Sequence, residues 1–171
     1  ARPQTLVFPL GVLAVALLVG KGGTRWRLGA WFLLLAIWAN LHGSFLVGLG
    51  LAASCALQRG RRWEWLAALA GALCTPWGLE LFVYAWSNSS RPASRGLNEW
   101  ARPGLDSVGL RLWPSLLLLA FVGARGARHK PTEWLPVLGL GLLACTGLRH
   151  AAWVGVVGGP LLAGWLPTSN S

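Results

Sequence analysis

Short polar stations interrupt an otherwise apolar chain, and each carries a residue type able to handle a ligand. Asn40 and His42 lie in Trp38-Ala39-Asn40-Leu41-His42-Gly43-Ser44-Phe45, where Gly43 lets a backbone come close to a bound group. The same two side chains equally suit the closing of a helical hairpin, by satisfying amides and carbonyls freed where a helix ends. Arg149-His150 joins two apolar blocks with almost no loop, and Arg2 stands before Pro3 at the head of the first block. An arginine so placed either grips a phosphate through two parallel hydrogen bonds or anchors its end at a headgroup layer by charge and length alone. Glu99, followed by Trp100, sits in the stretch from Ser87 to Arg111 with Asn88, Arg91, Arg95, Arg102 and Asp106. Glu99 is the first acidic candidate for a catalytic role, with His42 the second candidate. Glu80 lies in or beside an apolar segment, where an ionisable group is paired, protonated or interfacial.

Other chemistries leave no signature. The chain has no GxSxG elbow, no Walker-type phosphate loop, no HExxH and no Cys/His ligand set. Cys55, Cys74 and Cys145 fall inside apolar blocks without metal-ligand spacing and read as small buried hydrophobes. The glycines of Phe45 to Gly50 read as close helix packing, not as a phosphate cradle. No metal and no cofactor is expected.

The elements that must position these residues follow from composition. Hydrophobic residues make up 54% of the 171, charged residues 12%, and the mean hydropathy is +0.53, more apolar than a soluble core requires. Apolar blocks run from Leu6 to Gly20, Leu28 to Ala39, Phe45 to Leu57, Leu66 to Cys74, Leu112 to Ala124 and Leu135 to Cys145. They predict an all-α fold, a polytopic transmembrane helical bundle with short or broken helices and about six or seven membrane segments. Asn40 to Ser44 predicts a tight hairpin, which places Lys21, Arg25 and Arg27, and Arg59, Arg61 and Arg62, on one side, together with Arg125, Arg128 and Lys130. Arg2, Asn40, His42, Glu99, Arg149 and His150 then converge on the opposite, outer side as the substrate-handling face. The excess of 15 Lys and Arg over 5 Asp and Glu reads as loop charge beside lipid, with no nucleic-acid partner. The expected setting is a bacterial inner membrane, multi-pass, with the lipid bilayer as partner. Residues 1–171 read as a single membrane domain, and the absence of Met as the mark of a fragment of a longer chain.

The Trp38–Phe45 stretch resembles the WANLHGGF-type segment of large bacterial multi-spanning proteins grouped with the GT-C-like glycosyltransferases. The order of neighbouring features is similar too: Arg2-Pro3-Gln4, the break at Pro76-Trp77-Gly78, Glu99-Trp100 and Arg149-His150. Ser44 departs from the pattern where a second Gly is usual, and Thr75-Pro76-Trp77-Gly78 where Asn-Pro-Tyr-Gly is usual. The resemblance implies transfer of a sugar from a polyprenyl-phosphate donor, with a carboxylate as base and arginines stabilising the departing lipid phosphate. Arg149, Arg2 and His42 become donor-side residues and Glu99 an orienting or acidic group. The acidic residue that the wider class carries in its first outer loop lies ahead of anything in this sequence. The alternatives are a transporter or flippase for an anionic lipid or solute, and a non-catalytic membrane scaffold.

Overall fold

Glycine, proline and the Asn40–Ser44 interruption set where the helices break. The computed structural model describes residues 3–20, 22–90, 114, 117, 134–146 and 150–163, and the regular structure among them is helical. The chain forms two units, Ala1–Gly96 and Leu97–Ser171.

The first unit holds α1 (Pro3–Val19), α2 (Thr24–Leu41), α3 (Phe45–Arg59), α4 (Arg62–Leu73) and α5 (Glu80–Ser90). Each of the first four buries one stripe at helical spacing. On α1 it is Val7, Ala14, Val15 and Leu18; on α2 it is Arg27, Trp31, Leu34, Leu35, Trp38 and Ala39. On α3 it is Phe45, Leu49, Ala52 and Cys55, and on α4 Glu64, Ala68, Gly71 and Ala72. The stripes face one another, α2 packing on α4, α3 on α4, and α1 on both α2 and α3.

The chain turns back at residues 42–44. Gly48 lies against the Trp38 ring and Leu35, and Cys55 lies with Trp31 at the Glu64 carboxylate, so α3 returns along α2. Gly60 ends α3 in the left-handed region (φ 66°), which a residue with a Cβ adopts only at a cost. α4 then runs in the direction of α2, because Glu64 lies by Arg27, Gly71 by Phe32 and Cys74 by Asn40. At the crossing a Cβ on Gly71 would fall on the Phe32 carbonyl, so only glycine lets these two backbones meet. Pro76 cannot continue α4, and the turn through Gly78 leads into α5, whose Phe82 ring meets Phe45 edge-on at 5.2 Å and 89°.

In the second unit α6 (Leu135–Thr146) turns Val137, Leu140 and Ala144 inward. They pack on a helical stretch of α7 (Ala151–Trp153), a wide π turn (Val154–Gly158) and α8 (Gly159–Ala163), which buries Trp153, Val154, Val157 and Leu161. Pro160 brings no N–H for the Val156 carbonyl and crowds it, and the widened turn just upstream relieves that crowding.

The expected transmembrane bundle of about six or seven membrane segments is overturned. Among the described residues no helix is long and apolar enough to cross a membrane. The reason lies in the breaks. At 1.5 Å per residue, α2 extends about 27 Å, α3 about 22 Å and α4 about 18 Å, against a hydrocarbon core of about 30 Å. α2, the longest at 18 residues (Thr24–Leu41), carries Arg25 and Arg27 in its first turn and Asn40 in its last. The block from Leu66 to Cys74 yields only α4, about 18 Å long, and the stretch that begins at Ser87 is still helical to Ser90.

The crossing of α2 and α4 sets a contrast between two glycines. Gly71→Ala is expected to lower stability by about 1–3 kcal/mol through overpacking, whereas Gly50→Ala, on an exposed position of α3 where a Cβ meets open space, is expected to raise it by about 0.5–1 kcal/mol. Thermal unfolding followed by circular dichroism reads both, and a Gly71→Ala chain as stable as the parent would show that the backbones do not touch.

Candidate functional site

Two polar clusters occupy opposite ends of the first unit. At one end the C-terminus of α2 and the start of α3 hold Asn40, His42 and Ser44 beside the α4–α5 turn. The Asn40 amide donates to the Ala36 carbonyl at 2.8 Å and to the Cys74 carbonyl at 3.1 Å, tying the end of α2 to the chain leaving α4. Trp38 Nε1 donates to Ser44 Oγ at 3.0 Å, and Ser44 Oγ lies 2.9 Å from His42 Nδ1, which also accepts from the Ser44 amide at 3.0 Å. The Ser44 hydroxyl accepts a hydrogen bond from the indole N–H and donates one to Nδ1. Two donors on Nδ1 place the ring proton on Nε2, so His42 is held as a hydrogen-bond donor at Nε2 instead of a base. Next to this turn the Thr75 hydroxyl is buried without a hydrogen-bond partner. Trp77, Glu80, Leu81 and Tyr84 line a surface depression of about 490 Å³ on the adjoining stretch.

At the other end lies a cluster that sequence reasoning did not assemble. Arg27 and Glu64 are 0% and 1% exposed. Arg27 grips Glu64 with two prongs, Nε to Oε1 at 2.8 Å and Nη2 to Oε2 at 3.1 Å. Its remaining donors reach the end of α1, Nη1 to the Gly20 carbonyl at 2.9 Å and Nη2 to the Leu17 carbonyl. Glu64 Oε2 also accepts from Trp31 Nε1 at 2.9 Å and from the Cys55 thiol at 3.6 Å, and Arg61 Nη1 lies 3.6 Å from Oε1. Burial alone would raise the Glu64 pKa, but the Arg27 hydrogen bonds and charge, the Trp31 hydrogen bond and the Arg61 charge outweigh it and hold the carboxyl below its ordinary range. The hydrogen bonds to Glu64 outweigh burial at Arg27 and raise its pKa. Burial, then the Glu64 charge and hydrogen bond, push the Cys55 thiol up, so it stays protonated as a donor.

Of the residues singled out from sequence, Asn40 and His42 come together in one turn. His150 belongs to the second unit, where Nδ1 donates to the Leu143 carbonyl at 3.2 Å and so caps the end of α6. Arg2, Glu99 and Arg149 lie outside the described residues. Among the described residues no three His, Cys, Asp or Glu side chains gather as metal ligands would. The Arg27–Glu64 pairing is hidden from a sequence reading because 37 residues separate the partners. Its one local signal is a single acid, Glu64, behind the basic run Arg59 to Arg62. Compared with known proteins, the chain matches no family model, no curated protein and no solved structure.

Removing one partner of the buried pair strands the other. Glu64→Gln is expected to cost about 3–5 kcal/mol, while Arg27→Met with Glu64→Leu, which removes both charges, is expected to restore most of the loss. Because the folded pKa of Glu64 is lowered, its contribution is present above the unfolded value of about 4.3 and is lost as pH falls through the folded value. Denaturant titrations across that acid range should show the parent losing stability more steeply than Glu64→Gln; equal slopes would mean that the pair does not form.

Proposed function

We propose that this chain works in contact with lipid, and that within that setting it serves transfer of a sugar from a polyprenyl-phosphate donor. The lipid reading rests on the outward faces of the helices. Leu33, Ile37 and Leu41 form an exposed stripe on α2, Leu79, Val83 and Trp86 another at α5, and Leu135, Leu138 and Leu142 a third on α6. Each follows helical spacing, so each is a continuous strip of apolar surface and not scattered single residues. Water-exposed monomers rarely leave such surface uncovered, and lipid covers it without requiring a shaped partner. Helices that lie in or against a lipid layer without crossing it use just such faces.

The transfer reading rests on the resemblance at Trp38 to Phe45 and on the chemistry of the polar end. His42, held as a donor at Nε2, suits a developing negative charge such as that on a departing phosphate. In this reading Glu99 is an orienting or acidic group.

Flotation of the purified chain with phosphatidylcholine vesicles tests the lipid reading. The parent is expected to float, and Leu33→Gln with Ile37→Gln, both on the surface of α2, to reduce the bound fraction without changing the helical circular-dichroism signal. A parent chain that stays monodisperse in detergent-free buffer and does not float would sink the proposal.

A further inference from the structure

The end of the first unit that carries the Arg27–Glu64 pair also gathers exposed positive charge. Arg25, Arg59 and Arg62 are exposed there and Arg61 is half-buried, while Glu64, the acidic side chain described at this end, is sealed against Arg27. Arg59 reaches the Gly20 carbonyl at 3.4 Å, so the end of α3 and the end of α1 lie side by side. Arg61 Nη1 is turned inward, 3.6 Å from Glu64 Oε1, so Arg61 adds positive charge at the edge of the patch while its head stays by the pair.

Two tryptophans edge this patch. Trp26 is 55% exposed and Trp63 59%, with the Arg27 guanidinium 5.9 Å from the first ring and the Arg62 guanidinium 5.5 Å from the second. On α2, Trp26 lies on the same face as Leu33 and Ile37, seven and eleven positions on, so the ring sits where the charged end gives way to the apolar stripe. Trp63 stands likewise ahead of exposed Leu66 on α4. An indole with one edge toward charge and the other toward hydrocarbon is the side chain of a headgroup boundary.

We infer that the patch of Arg25, Arg59, Arg61 and Arg62, edged by Trp26 and Trp63, is a docking surface for the phosphates of anionic lipid headgroups. This rests on the lipid reading above and names the class of lipid. Charge complementarity selects the anionic phosphate, and the tryptophans set its depth. A nucleic acid would also meet the arginines, but it would leave the stripe beyond Trp26 uncovered. The buried pair supports the patch by neutralising the carboxylate that would otherwise repel phosphate.

The test compares flotation of the full chain with vesicles of phosphatidylcholine alone and of phosphatidylcholine with phosphatidylglycerol, at low and high salt. Binding is expected to be stronger on the anionic vesicles, to fall toward the neutral level in high salt, and to drop about fivefold for each of Arg25→Gln and Arg62→Gln on anionic vesicles alone. Equal binding to both vesicle types, or arginine variants that bind anionic vesicles as the parent does, overturns the inference and leaves the lipid reading standing. Arginine-dependent binding to anionic vesicles with none to neutral ones supports the inference and removes the role given to the apolar stripes. A mixed-sequence DNA duplex that strips the chain from anionic vesicles overturns it in favour of a nucleic-acid partner.

Discussion

Taking Arg27 and Glu64 out of water costs several kcal/mol for each ion, and the fold offsets that cost at one point where four helices meet. The guanidinium comes from α2 and the carboxylate from α4, α1 supplies the Leu17 and Gly20 carbonyls, and α3 supplies the Cys55 thiol. Each partner therefore finds hydrogen bonds beyond the ion pair itself, which is the condition for a buried pair to be tolerated. Sliding α4 by one turn along α2 would move Glu64 away from both Arg27 and Trp31 and leave two charges stranded in an apolar interior.

That single register propagates to the far end of the unit. With Glu64 fixed against Arg27, the small face of α4 meets the Phe32 backbone at Gly71, and the chain leaving α4 arrives where Asn40 can bond the Cys74 carbonyl. The α2–α3 turn is then closed from both sides, by Asn40 toward α4 and by the Trp38–Ser44–His42 relay within the turn. The Asn40–Cys74 bond thus shares its helix register with an ion pair at the other end of α2, whereas the His42 relay closes within the turn. The polarity of the unit depends on that ion pair, because sealing Glu64 leaves that end positive on its surface.

Among the described residues, the apolar blocks and the breaks at Asn40–Ser44 and Pro76–Gly78 were legible in the sequence, since a polar interruption and a proline act locally. Block hydrophobicity does not fix span length, which is why these helices are not spans. Arg25 and Arg27, basic residues ahead of an apolar block, lie in the first turn of α2, and Arg27 faces the core instead of a headgroup layer. The type of a residue does not say which way it faces once the helix phase is set by packing. The same limit hid Glu64: in sequence it belongs to a basic loop, and only the return of α4 along α2 brings it to Arg27. Asn40 and His42 were found because a polar pair beside a glycine in an apolar run is a local signal. That Asn40 latches onto Cys74, 34 positions away, is not a local fact.

The chemistry open to the first unit is narrowed by the same hydrogen bonds. A general base must be able to reach and accept a proton, and the carboxylates described in this unit are Glu64 and Glu80. Glu64 is unsuited: its lowered pKa makes it a weak base, its oxygens are taken by Arg27, Trp31, Cys55 and Arg61, and no substrate reaches a side chain that is 1% exposed. Glu80 is exposed at the head of α5, beside Trp77 and Tyr84, at the same end of the unit as the α2–α3 turn. The unit's two described acids are thus placed oppositely, Glu64 sealed against Arg27 between the helices and Glu80 at the surface at the head of α5.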